Sequence, residues 1–158
     1  MRRRLLLLLA ALPLLLVLAL PAVASARVPR LFSGWKAPYT NSSVRPSGIG
    51  TITGDGSAHI GSDAGGNGAI SWKHWSARDA VGVGKIWLDD CIPDTAGGTF
   101  HGRHAHIRVF RVRHGHYTRL TVSWRAGHRI WDAGTILYTW KYRLTHWYSG
   151  DLIWMRMT

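Results

Sequence analysis

His104-Ala105-His106-Ile107-Arg108-Val109-Phe110-Arg111-Val112-Arg113-His114-Gly115-His116-Tyr117-Thr118-Arg119-Leu120-Thr121-Val122-Ser123-Trp124 is the stretch whose pattern decides the fold. Apolar and polar residues alternate on either side of a short Gly-containing break, the period of two that a half-buried strand requires. On the first arm Ala105, Ile107 and Val109 share a face. On the second, Leu120, Val122 and Trp124 share one, set between Arg119, Thr121 and Ser123. Opposed residues of an antiparallel pair lie on the same side, so the two arms make a hairpin with one apolar and one polar wall. A two-residue loop at Gly115-His116 pairs Val109 with Val122 and Ile107 with Trp124, whereas a three-residue loop at His114–His116 sets Val109 against Thr121. The two-residue loop is therefore expected, with Gly first as a type II′ turn requires. This register leaves Phe110 and Val112 on the outer face, which implies a bulge or a second layer over that end.

The hairpin sits inside the most basic part of the chain. Thr95–Trp131 holds seven arginines and six histidines and neither Asp nor Glu, while the segments on either side are close to neutral. Such asymmetry points to an anionic partner. An Arg-rich composition that merely keeps an exported protein soluble is the alternative reading.

The remaining chain reads as more strands. It has no Glu and no Gln, 18 glycines and nine tryptophans, a composition of strands, turns and aromatic packing. Strands are expected at Gly48–Thr53 and Ala58–Gly61 around a Gly54–Ser57 turn, then between Trp72 and Trp75, over Ala80–Asp89, over Thr135–Tyr142 and over Leu152–Met157. Ser62–Gly68 and Asp90–Gly98 read as connections. Gly82 and Gly84, on the opposite face from Val81, Val83 and Trp87, mark a place where another group packs closely, such as a Trp ring. No stretch sustains a 3.6-residue apolar period. The expected fold is all-β: a single-domain antiparallel sandwich or partly closed barrel of about seven to nine strands.

The first 26 residues stand apart. Arg2-Arg3-Arg4, the apolar run Leu5–Leu20 and Ala24-Ser25-Ala26 have the layout of a secretory signal peptide, with an uncleaved N-terminal anchor as the alternative. The organisation read from the sequence is thus signal peptide 1–26, extended lead-in 27–47 and β domain 48–158, secreted and associated with the envelope, with no membrane span after cleavage. The oligomeric state is left open.

Between Arg45 and Trp124 the chain resembles a group of small, uncharacterised secreted actinobacterial proteins. The resemblance rests on Thr53-Gly54-Asp55-Gly56-Ser57, on Trp72 and Trp75, on Asp89-Asp90-Cys91-Ile92-Pro93-Asp94, on a Gly-containing loop to Phe100 and on Tyr117–Val122. It implies a secreted β domain and no particular reaction. Those relatives carry a second cysteine where this chain has Thr95, so Cys91 is left alone in an oxidising compartment. A buried structural thiol is the preferred reading, with an intermolecular bridge or a reactive thiol as alternatives.

Three chemistries are weighed for the basic hairpin. His104 and His106, spaced i, i+2 on one strand face near His101, His114 and His116, have the spacing of metal ligands, but no Cys or carboxylate completes a set and nearby arginines repel cations. A phosphodiesterase or nuclease built from His104, His106 and Arg108 lacks a carboxylate on the hairpin to serve it. Anion binding fits best: His104, His106, Arg108, Arg119 and Arg125 share the solvent face, and guanidinium groups bind phosphate or carboxylate as forks. The expected partner is an anionic cell-wall polymer or lipid headgroup, with no cofactor and no catalysis. Nucleic acid is less favoured, because only Tyr117 and Phe110 are placed to stack on bases. A secreted structural domain without a specific ligand is the alternative.

Overall fold

The computed structural model of the protein describes residues 27–33, 42–53, 56–61, 68–92, 97–146 and 152–158. The signal segment, the Gly54-Asp55 turn and most of the Ser62–Gly68 loop lie outside them. The described residues form ten strands and no helix: β1 (Leu31–Phe32), β2 (Ser42–Ser43), β3 (Ile49–Thr53), β4 (Gly56–Ile60), β5 (Ser71–Trp75), β6 (Asp79–Asp89), β7 (Phe100–Arg113), β8 (His116–Ala126), β9 (Ile136–His146) and β10 (Leu152–Arg156).

The central hairpin is β7–β8, with the expected faces and a different register. It turns at His114-Gly115, not Gly115-His116: Arg113 pairs with His116, and both turn residues have positive φ, 48° and 75°. This is type I′ backbone, with Gly second. His is among the few side chains that enter the left-handed region with any frequency, which makes this turn accessible. The pairing therefore becomes Val109 with Leu120, Ile107 with Val122 and Ala105 with Trp124. Each differs by two residues from the expectation, so every side chain keeps its face. The smallest inward residue now lies opposite the largest.

The irregularity implied by Phe110 and Val112 is real and sits at Arg111, whose φ is 60°. Strict alternation from Val109 and Leu120 would turn Arg111 and Thr118 inward and Tyr117 outward. Instead Arg111 is exposed, and Tyr117 is fully buried in the core with Val112 packed against it. The left-handed residue exchanges the two faces at the tip, and the Thr118 hydroxyl donates to the Arg111 carbonyl at 2.6 Å. Phe110 stays outside, with the Arg108 guanidinium 5.5 Å from its ring centre.

Growth from the hairpin produces a nearly closed barrel. The order is β4-β3-β10-β9-β8-β7-β6-β5. One edge of β6 pairs with β7 throughout, while its other edge is divided. β5 takes Ala80–Val83 and β4 takes Ile86–Leu88. The β4 contact returns the sheet to its start and leaves β5 as a flap. A ring of seven strands cannot alternate direction throughout, so one neighbouring pair must be parallel. That pair is β10–β3, joined at Met155 and Ile52, and it is the thin seam of the barrel.

Inward rows fill the interior, each running from a small residue on β6 to an aromatic on β9. Gly84, Ala105, Trp124 and Tyr138 form one row, Gly82, Ile107, Val122 and Trp140 the next, and Ala80, Val109, Leu120 and Tyr142 a third. Trp124 stacks on Tyr138 at 5.7 Å and meets Trp140 edge-on at 4.9 Å. A Cβ on Gly82 would lie 2.8 Å from Ile70 and 3.1 Å from the Trp72 ring, so a tryptophan does cover that glycine. Gly84 instead faces the Ala69 carbonyl and Ile107.

The described parts of the lead-in pack on the barrel. Leu31 is fully buried, β1 pairs with β2, and Arg30 bridges the hairpin through its N–H to the Gly115 carbonyl and its carbonyl to the Tyr117 N–H. Indole N–H groups tie irregular backbone to the sheet: Trp72 to the Pro46 carbonyl, Trp75 to Pro29, Trp87 to Gly61, Trp124 to Ile130 and Trp154 to Phe32. A buried indole needs such a partner, and each bond ties to the sheet a segment that is not one of its eight strands.

Two substitutions test this account by thermal or denaturant unfolding. Gly102 lies under the Trp87 ring, where a Cβ would sit 2.8 Å from Cζ3. Gly102→Ala should displace that indole and destabilise by about 1–3 kcal/mol. His114→Asn supplies the Asn-Gly pair that type I′ favours and should stabilise by up to about 1 kcal/mol. A loss of stability in the second variant would contradict the turn assignment.

Candidate functional site

The five residues read from the sequence as anion-binding all lie on the outer surface of the hairpin. His104, His106, Arg108 and Arg125 are exposed and Arg119 is half-buried. The observed register sets His106 opposite Ser123, Arg108 opposite Thr121 and Arg119 opposite Phe110. β9 extends these rows with Thr139, Lys141 and Arg143. The third row thus runs Phe110, Arg119, Arg143, with two arginines directly opposed. Like charges facing across a ladder destabilise it by about 0.2–1 kcal/mol.

The wider cationic run does not gather on one wall. His101 and Arg103 take inward register positions opposite Leu88 and Ile86 at the far end of β7. Arg103 donates to the Gly102 and Trp131 carbonyls. His128 and Arg129 are exposed in the β8–β9 connection. Arg111, Arg113, His114 and Gly115 form the exposed hairpin tip, and His116 stacks on Phe32 at 4.6 Å.

Two candidate residues are already engaged. Arg108 Nε and Nη2 donate to Asp79 Oδ2 at 3.2 and 3.0 Å, and Asp79 also lies 3.5 Å from His74. The hairpin offers no carboxylate of its own, but β6 brings this one to its edge, so Arg108 carries less unbalanced charge than its exposure suggests. An exposed pair of this kind is worth about 0–1 kcal/mol. Arg125 donates to the Thr135 carbonyl at 2.6 Å.

Charge accumulates instead at the tip. Arg111, Arg113, Arg119 and Arg143 line one groove of about 260 Å³ with Thr118 and Leu144. Among the described residues no carboxylate pairs with any of the four. Burial, followed by the like charges of Arg111, Arg143 and Arg113, holds the Arg119 guanidinium below its ordinary pKa. Sequence reasoning missed Arg143 and Lys141, although the signal was present. They alternate with Tyr138, Trp140 and Tyr142, whose aromatic face defined that strand.

His104 and His106 line two further depressions. One, of about 410 Å³, is shared with Val83, Lys85 and Gly68. The other, of about 480 Å³, is shared with Arg103, Ser123, Arg125 and Leu137. Among the described residues no three His, Cys, Asp or Glu side chains converge to hold a metal ion. Cys91, preferred as a buried thiol, is half-buried in the connection after β6, with φ 55° and its N–H on Asp89 Oδ1 at 2.9 Å. The described tryptophans are all buried or half-buried, so none is an open platform for a sugar or base.

A carboxylate and an imidazole do meet at the other end of β7. Asp90 Oδ2 lies 2.9 Å from His101 Nε2, and Asp90 Oδ1 accepts the Thr99 and Ile92 N–H groups. The His101 hydrogen bond first, then the Thr99 N–H, hold the Asp90 carboxyl below its ordinary pKa. No protein-family model, curated protein or solved structure matches the chain.

A depressed carboxyl pKa contributes stability above the unfolded-state value and loses it as pH falls through the folded value. Asp90→Ala should therefore unfold at a lower temperature than the parent at pH 7, with the gap narrowing below about pH 4. A pH-independent gap would show that ionisation of Asp90 contributes nothing to stability.

Proposed function

We propose that the protein is an exported, non-catalytic binding domain whose basic outer wall holds an anionic polymer of the cell envelope. What supports this reading is the composition of the wall. His104, His106, Arg108, Arg119, Arg125, Lys141 and Arg143 share the outer side of three adjacent strands, and Asp79 at the edge is the one carboxylate engaged there among the described residues. Guanidinium forks suit phosphate and carboxylate oxygens, and a rigid sheet fixes their spacing before the ligand arrives. Asp79 is held by the Arg108 guanidinium and lies 3.5 Å from His74.

The test is retention of the purified protein on immobilised teichoic acid or heparin. Raising NaCl from 50 to 200 mM should weaken binding by on the order of tenfold or more, as expected when several phosphates or sulfates are neutralised. Lowering the pH from about 8 to 5.5 adds charge to histidines and should tighten it. Binding indifferent to salt and pH, or absent, leaves a structural domain as the function.

A further inference from the structure

We infer that the groove between Arg111, Arg113, Arg119 and Arg143 is a discrete site for a doubly charged phosphate monoester, as distinct from the singly charged diesters along a polymer backbone. The inference rests on the anion-binding reading of the wall and narrows it to one chemical group.

Two features single out this groove. The first is charge: four guanidinium groups from β7, β8 and β9 border it, Arg119 and Arg143 face each other directly, and no described carboxylate offsets them. The second is backbone. Arg111 occupies the left-handed region, which residues other than Gly, Asn, Asp and His rarely enter, and strain of that kind collects where a function maintains it. Without the exchange of faces at Arg111, that side chain would point into the core. With it, Arg111, Arg113 and Thr118 join Arg119 on the outside. The same conformation thus creates the groove and brings Tyr117 into the core.

The ligand class follows from count and shape. A planar carboxylate presents its oxygens in one plane and is satisfied by one or two forks. A tetrahedral group accepts from several directions at once. A monoester phosphate carries about −1.5 to −2 at neutral pH with three terminal oxygens, so it offsets more of the four charges than a diester does. Leu144 on the groove wall lets an ester substituent rest on apolar surface.

Isothermal titration with glycerol 3-phosphate and with dimethyl phosphate, at matched ionic strength and pH 7.5, tests the inference. The expected result is saturable 1:1 binding of the monoester, at least about tenfold tighter than the diester, and a loss of about tenfold in Arg143→Gln and in Arg119→Gln. Arg143→Gln should also unfold at the same or a higher temperature than the parent in low-salt, phosphate-free buffer, because it relieves repulsion; a folding role for Arg143 predicts the reverse. Vesicles of phosphatidic acid and of phosphatidylglycerol, run in parallel, separate a lipid-borne monoester from a soluble or polymer-borne one. Equal affinity for the two esters, or unchanged binding in both variants, overturns the site. If the monoester fails while the protein still adheres to the anionic resin, only this inference falls. If both fail, the binding reading falls with it.

Discussion

Closure of an odd-numbered ring is the constraint from which the rest of the structure follows. Seven strands can meet end to end only if one neighbouring pair runs parallel, and β10–β3 supplies it. Once the ring is closed the sheet has one inside, and its volume must be filled. Glycines and Ala80 on β6 make room on one side, and Trp124, Trp140, Tyr138 and Tyr142 fill from the other. Bulky indoles bring an N–H that needs an acceptor. The acceptors used are the carbonyls of Pro46, Pro29, Gly61, Ile130 and Phe32, all outside the eight-stranded sheet. Filling the interior with aromatics therefore also anchors the loops and the lead-in of a Gly-rich chain that has no helix among its described residues.

The same closure decides where the cations go. Alternate residues of β7, β8 and β9 face outward, and in this chain those positions are mostly Arg, His, Lys, Ser and Thr, with Phe110 and Leu137 among them. An ordinary surface intersperses both signs, so that neighbours compensate. Here Glu is absent altogether, and on the outer wall of these three strands Asp79 is the one carboxylate, among the described residues, seen to engage a basic side chain. The repulsion this leaves is a small cost per pair, tolerable beside the interior packing, but it has no structural benefit within the chain.

The alternation of Ala105, Ile107, Val109 and of Leu120, Val122, Trp124 was legible from residue types alone, because the hydrophobic effect imposes a period of two on any strand with one buried side. Register was not legible to the residue, since it depends on a choice between II′ and I′ turns. His114 tilts that choice by tolerating a left-handed conformation that the sequence pattern does not advertise. The break at Arg111 was legible only as discomfort, in two apolar residues on the wrong face. The five candidate residues were found because they belong to one conspicuous run. Arg143 was missed because it lies outside that run, and meets Arg119 only through the β8–β9 ladder. Long-range pairing is the information a local reading lacks.

The two ends of β7 show what separates charge that serves the fold from charge directed elsewhere. His101 and Arg111 are ten residues apart, roughly 30 Å along the strand. At the first end the imidazole meets the Asp90 carboxylate, which in turn accepts two backbone N–H groups of the adjoining connection. Those groups answer one another, and the arrangement is complete without a partner. At the second end four guanidinium groups point to a common groove, and one of them is carried on strained backbone. Nothing described in the chain answers them. A fold selected only for stability would have placed an aspartate there, as it did at Asp79 and Asp90. The absence of compensation at one end of a strand that is compensated at the other is what directs attention to an external anion.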